Sequence, residues 1–196
     1  MTSLILASGS PVRRKLLAAA GYAFRVVRPQ VDEVLPDDGD AVEVAAALAL
    51  EKARSVLTGE PDATVIGADQ VLLLPNGALA GKTDTREEAR ARIIELSGRT
   101  HRLISVAAVV TATTEELVAD VAEIRFRALG GAEVERYLDL GEWRGTAGSY
   151  LVESRGIHLM EHVVGDHFTV LGLPLLPVVG VLRGLGISPL NGARVE

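Results

Sequence analysis

Ser3-Leu4-Ile5-Leu6-Ala7-Ser8-Gly9-Ser10-Pro11-Val12-Arg13-Arg14 reads as a short buried strand, a turn of small residues and the start of a helix. Ser10 suits the N-cap and Pro11 the first helical position, where its missing N–H costs nothing. Leu16, Leu17 and neighbouring alanines carry the helix through residues 13–20, and Gly21 closes it. The turn itself has chemical content. Small side chains let an anion approach the backbone, and unpaired N–H groups at the helix start point toward it. Arg13 and Arg14 fall in the first turn, where cations oppose the helix dipole unless an anion is bound. A capped helix with two solvated arginines reads the same residues equally well.

Outward from this unit, strands and helices alternate irregularly. Residues 24–27 are a second strand candidate. Asp40 and Glu43 have capping-box spacing and open an Ala/Leu-rich helix to about Leu57. Residues 63–67 form a β-branched run ending at Ala68-Asp69-Gln70, and 71–74 continue extended toward the hairpin signal Pro75-Asn76-Gly77. Thr85 and Glu88 make a strict capping box for a helix ending near Ser97-Gly98. Two long strands, 102–110 and 117–127, precede helices over 131–140 and 175–185. No repeat, low-complexity tract or linker interrupts residues 1–196, so a single α/β domain around a mixed sheet is expected.

Composition narrows the function. Hydrophobic residues make up 48% and charged residues 23% of 196, the balance of a globular protein. With 26 acidic against 20 basic residues and a net charge of −6, long polyanions are poor partners, so nucleic-acid binding is not expected. A basic pocket for a small anion stays compatible. The chain has no cysteine, which removes thiolate metal sites and thiol nucleophiles. His158 and His162 have helical spacing, but Gly156 and Gly165 crowd them and no HExxH context surrounds them. Residues 168–182 are too short for the ~20 residues of a membrane span, and Pro174 and Pro177 interrupt them. Neither a basic leader nor a long apolar start is present, so a cytoplasmic location without membrane partners is expected.

Charged residues recur beside apolar runs: Val31-Asp32-Glu33, Glu51-Lys52 within an Ala-rich helix, Asp69 ending a buried-looking strand, and Gly81-Lys82-Thr83 before a capped helix. Taken singly, the first two read as solvated surface charge. A strand-end carboxylate is where α/β proteins place catalytic acids and metal ligands. Gly81-Lys82-Thr83 lacks the upstream glycine spacing of a P-loop. Two carboxylates, several cations and one anion-binding turn are the equipment of phosphate chemistry with Mg²⁺.

In this order the residues resemble the Maf family of nucleotide pyrophosphatases. The likeness runs through Leu6-Ala7-Ser8-x-Ser10-Pro11-x-Arg13-Arg14, Val31-Asp32-Glu33, Glu51-Lys52-Ala53, Gly67-Ala68-Asp69 and Gly81-Lys82. It continues with Leu96-Ser97-Gly98, Ala147-Gly148-Ser149-Tyr150, Gly165-Asp166 and Gly172-Leu173-Pro174-Leu175. The resemblance implies an elongated two-lobed α/β fold like that of inosine-triphosphate pyrophosphatase, with the active-site cleft between the lobes. It implies hydrolysis of a nucleoside triphosphate to monophosphate and pyrophosphate, with Mg²⁺ or Mn²⁺ as cofactor. Asp69 would accept the proton from water. Glu33, Lys52 and Lys82 would complete the catalytic set, Glu33 and Asp69 would hold the metal, and Ser8, Ser10 and Arg13 would bind substrate. Gln70 and Glu153 resemble the 7-methyl-GTP branch, in which a carboxylate can accept from the N–H edge of guanine. Val12 stands where that branch has Trp, and Thr83 where the family usually has Pro. A dTTP/UTP pyrophosphatase and a nucleotide-binding regulator of cell division are the alternative readings, with a homodimer as an assembly to test.

Overall fold

The computed structural model describes residues 3–31, 36 and 39–191. Seven strands form one mixed sheet. β1 (Leu4–Ala7) lies between β2 (Arg25–Val27) and β3 (Thr64–Leu73), parallel to both. β4 (Leu79–Ala80), β5 (Thr100–Val110), β6 (Glu115–Phe126) and β7 (Met160–Val164) extend it through antiparallel pairs, in the order β2-β1-β3-β5-β6-β7 with β4 on β3. The α/β class with a mixed sheet is therefore as the sequence predicts. Among the described residues no helix is long and apolar enough to cross a membrane.

Local chemistry sets the helices. In α1 (Pro11–Ala19) the Ser10 hydroxyl accepts from the Arg13 N–H. Asp40 caps α2 (Ala41–Leu57) by accepting from the N–H groups of Val42 and Glu43 at 2.8 and 3.0 Å. Thr85 and Glu88 complete a reciprocal box at the start of α3 (Arg86–Leu96). α4 (Gly131–Asp139), the four-residue α5 (His167–Val170) and α6 (Leu175–Gly184) follow. The sequence reading breaks β3 at residues 68–70, whereas the structure runs one strand through them because β5 pairs with it from Val65 to Leu73. β7, α5 and a 3-10 turn over Arg155–Leu159 are short and were not expected. His158 lies in that turn and His162 in β7, so their helical spacing is not realised.

Helices cover the two faces of the sheet unequally. α2 alone lies on one face, packing Ala45, Ala49 and Ala53 against Val65, Val71, Ile104 and Val106. The other face is divided. At the β1 end, Leu17 of α1 and Val178 and Leu182 of α6 pack with Leu6, Ile66 and Val109. At the far end, Ile93 of α3 and Val134 and Leu138 of α4 pack with Leu103, Ile124 and Phe126. Between these apolar clusters runs a polar row, Gln70, Ser105 and Asp120, in register across β3, β5 and β6.

One edge of β3 is shared by two short strands. β1 pairs with it as far as Gly67 and β4 from Leu72, so residues 68–71 have no strand on that edge among the described residues. The gap is flanked by the Ser8–Ser10 turn that follows β1 and by the Gly81–Lys82 loop that follows β4. Side chains alternate across a strand, so Asp69 faces α2 while Gln70 faces the other side.

Candidate active site

Asp69 and Lys52 form the buried centre of the gap. The Lys52 ammonium lies 2.5 Å from Asp69 Oδ1, with 4% and 10% of their side-chain surfaces exposed. Lys52 thus differs from the solvated charge expected of it in isolation; its neighbour Glu51 is the exposed one. The close approach of α2 to β3 explains this. A Cβ on Gly67 would stand 2.1 Å from the Ala49 carbonyl oxygen and 2.7 Å from the Ala53 nitrogen. Only glycine lets the helix backbone come that near the strand, and one turn of helix then delivers Lys52 to Asp69.

The turn after β1 closes one side of the gap. Ser8 is buried and its hydroxyl accepts from the Ser10 N–H at 3.2 Å. Arg13 ties three parts of the chain together. Its guanidinium donates to Ala68 O at 2.8 Å, to Gly172 O at 2.7 Å and to Ser8 Oγ at 3.5 Å. Arg14 is exposed and Val12 half-buried, so Arg13 is the arginine of the pair that the fold draws to β3.

Lys82 stands on the opposite side, on an exposed position of the β4–α3 loop. That loop is anchored from both ends of the motif. Arg92 of α3 donates to Gly81 O at 3.2 Å and to Ala147 O at 2.8 Å, and the Thr83 and Ser149 hydroxyls are 2.9 Å apart in the interior. Ser149 holds φ 60, a left-handed conformation that non-glycine residues rarely adopt. Burial pulls the Arg92 guanidinium below its ordinary range.

Gln70 faces inward. Its amide nitrogen donates toward Ser105 Oγ at 3.0 Å, Thr169 O at 2.9 Å and Val170 O at 3.3 Å. Carbonyl neighbours fix the amide orientation, since only the NH₂ end can face them. Glu153 is exposed, two residues beyond Leu151, whose N–H donates to the Tyr137 hydroxyl at 3.1 Å. Burial pushes Tyr137 up to about 12, with a smaller push from the charges of Glu142 and Glu153. Asp32 and Glu33 lie outside the described residues, so the metal-ligand expectation for Glu33 has no geometry to set beside it.

Sequence reasoning overlooked Arg92, Ser105, Asp120 and Thr169. Ser105 carried a legible signal, as the lone hydroxyl in the apolar run 103–110. Thr169 and Asp120 carried none, because their partners are 49 residues apart in the chain.

The sequence profile of the family described as "Maf-like protein" matches residues 3–185. The chain belongs to that family. A relative from Nitrobacter hamburgensis named "Nucleoside triphosphate pyrophosphatase" is 42% identical over 95% of this chain and 96% of its own length. A "7-methyl-GTP pyrophosphatase" from Xanthomonas oryzae pv. oryzae is 42% identical over 95% and 98%. A "dTTP/UTP pyrophosphatase" from Symbiobacterium thermophilum is 35% identical over 98% of both chains. Ser8, Ser10 and Arg13 stand on one side of the β3 gap, Lys82 on the other, and Asp69 with Lys52 at its floor.

Proposed function

We propose that the chain hydrolyses a nucleoside triphosphate to the monophosphate and pyrophosphate at the β3 gap. Support comes from the family, from relatives named for pyrophosphatase activity along nearly the whole chain, and from one observation above all. That observation is the buried Lys52–Asp69 pair beside the Ser8–Ser10 turn, with a second cation, Lys82, across the gap. In the proposed reaction water attacks the α-phosphorus, the bond from that phosphorus to the bridging oxygen breaks, and pyrophosphate departs with the electron pair. Asp69 takes the proton from the attacking water, and Lys52 holds the carboxylate in one orientation. Ser8, the helix start beyond it, Arg13 and Lys82 face phosphate charge, as positioned donors do where charge develops.

Mg²⁺ or Mn²⁺ is the proposed cofactor. Among the described residues no group of three or more His, Cys, Asp or Glu side chains could hold an ion. A hard cation bound through one or two carboxylates, water and substrate phosphates needs no such cage. Asp69 and Glu33 would hold it, and when bound it would neutralise phosphate charge. Pyrophosphate release should stop in EDTA and return with Mg²⁺ or Mn²⁺; full activity after exhaustive chelation would contradict this part.

A guanine-type base, 7-methyl-GTP included, is the proposed preference over dTTP and UTP. With its amide hydrogens committed to Ser105 and the α5 carbonyls, Gln70 has only its carbonyl oxygen to offer, and Glu153 has only acceptors. Guanine presents adjacent donors, whereas uracil and thymine flank one N–H with two carbonyl oxygens. Leaving the half-buried Gln70 carbonyl unpaired costs about 1–2 kcal/mol, or roughly five- to thirtyfold in selectivity. Relative kcat/KM for GTP, 7-methyl-GTP, dTTP and UTP tests it. A preference for dTTP and UTP would overturn the base assignment and leave the reaction class standing.

A further inference from the structure

The polar row between the two apolar clusters joins Gln70 and Arg13 to one short helix. Asp120 Oδ2 accepts from the Thr169 hydroxyl at 2.6 Å. The Thr169 carbonyl in turn accepts from Ser105 Oγ at 2.9 Å and from the Gln70 amide at 2.9 Å. Thr169 and Ser105 are fully buried. Three residues on, Gly172 turns the chain at φ 96, with its N–H on Thr169 O at 3.0 Å and its own carbonyl on Arg13 Nε at 2.7 Å. A Cβ on Gly172 would lie 3.6 Å from Gln70 Oε1 and 3.7 Å from Arg13 Nε and Nη2, so the Gln70 carbonyl and the Arg13 guanidinium converge at this one residue.

A four-residue helix has almost no stability of its own, since nucleation is unfavourable and too few bonds follow. Its position depends on tertiary contacts: Val170 packs in one apolar cluster, Phe168 against the other, and Thr169 bonds to the sheet between them. We propose that Asp120, Ser105 and Thr169 are positioning residues that pin α5 to the sheet, thereby holding the Gln70 amide with its carbonyl oxygen toward Gly172 and seating Arg13 through the Gly172 carbonyl. Asp120 acts at two removes: it holds Thr169, Thr169 holds Gln70 and the turn, and the turn holds Arg13. This rests on the pyrophosphatase reading of the site, and it assigns to three residues outside that site both a rate and a selectivity.

Two consequences separate positioning from mere stability. Ser105→Ala frees one restraint on the Gln70 amide and should narrow the preference between guanine and pyrimidine triphosphates. Thr169→Val keeps shape but removes the bond to Asp120, and should lower kcat/KM with every base by loosening Arg13 while also narrowing the guanine preference by releasing Gln70. Loss of one buried hydrogen bond corresponds to roughly three- to tenfold in either ratio. Thr169→Ser and Asp120→Asn retain a hydroxyl and an acceptor oxygen, so both should stay near wild type, while Asp120→Ala should match Thr169→Val.

The test is pyrophosphate release from GTP and UTP by these variants, normalised to the folded fraction from urea unfolding. The expected result is a kcat/KM loss on both GTP and UTP with a reduced GTP/UTP ratio in Thr169→Val and Asp120→Ala, rescue in Thr169→Ser and Asp120→Asn, and a reduced GTP/UTP ratio with the UTP rate retained in Ser105→Ala. Unchanged kinetics per folded molecule in Thr169→Val, Asp120→Ala and Ser105→Ala would overturn the proposal while leaving the function intact. If Thr169→Val does not fold, the Ser105→Ala ratio and the Asp120 pair decide it. No pyrophosphate release by wild type from any triphosphate would sink the function reading first, and this inference with it.

Discussion

Lys52 and Asp69 meet at 2.5 Å beneath α2, each nearly withdrawn from water. Such a pair is costly to break from one side. Removing one charge of a buried ion pair leaves the other desolvated, at about 3–5 kcal/mol. Lys52→Met should therefore lower the urea midpoint sharply and abolish turnover together. A Lys52→Met protein of wild-type stability would mean that Asp69 is better solvated than the fold indicates.

Gly67 sets the distance at which that pair forms. In Gly67→Ala the new methyl would overlap the Ala49 carbonyl, 2.1 Å away, and backbone rather than a flexible side chain must yield. Overpacking of this kind costs about 1–3 kcal/mol or more. Activity per folded molecule should fall as well, because α2 carries Lys52. Retention of full specific activity would show that the helix can retreat without moving Lys52.

Arg92 reaches from α3 to both the Gly81 and Ala147 carbonyls, so it braces the loop that bears Lys82. Arg92→Met keeps the length and removes the donors. Steady-state kinetics should show a loss of roughly tenfold in kcat/KM, alike for purine and pyrimidine triphosphates, the scale of one charged hydrogen bond. A base-selective loss would place the Lys82 loop near the nucleobase instead.

His101 gives the protein an acid-side weakness. Burial pushes it from the ordinary 6.5 down to about 4, and its Nε2 lies 2.8 Å from the Tyr150 hydroxyl. Between these values the unfolded chain binds a proton that the folded chain refuses. Stability is therefore complete above pH 6.5 and declines as pH falls toward 4, by at most about 1.4 kcal/mol per pH unit from this group. Urea midpoints from pH 7 to 4.5 should decline less steeply in His101→Gln than in wild type. Equal slopes would remove His101 from the acid response.

Much of the fold was legible because its signals are local. Ser10-Pro11, Asp40 and Thr85 with Glu88 each announce a helix start through bonds made within three residues, and all three caps form. The α/β class followed from the alternation of those helices with apolar runs. What the sequence concealed is long-range. Lys52 reads as a surface charge until Gly67 brings α2 onto the strand, and the bonds from Gln70 to the α5 carbonyls come from a helix about 100 residues on that the sequence does not announce. α5, β7 and the 3-10 turn are too short for periodicity to register, and tertiary bonds hold them. Family motifs pointed to Ser8, Arg13, Asp69 and Lys82, and the chain's topology explains why these distant residues share one gap in the sheet edge.

The central claim is that Asp69 accepts a proton during attack on a nucleoside triphosphate. It is tested most directly by pyrophosphate release from a panel of triphosphates with Mg²⁺, comparing wild type with Asp69→Asn. The exchange keeps the shape of the side chain and removes its basicity, and general-base catalysis contributes about 10²–10⁴-fold. Release by wild type, a loss of that order in kcat for Asp69→Asn, and a variant less stable for want of the ion pair yet still folded are the expected results. Near-normal pyrophosphate release by folded Asp69→Asn would contradict the claim.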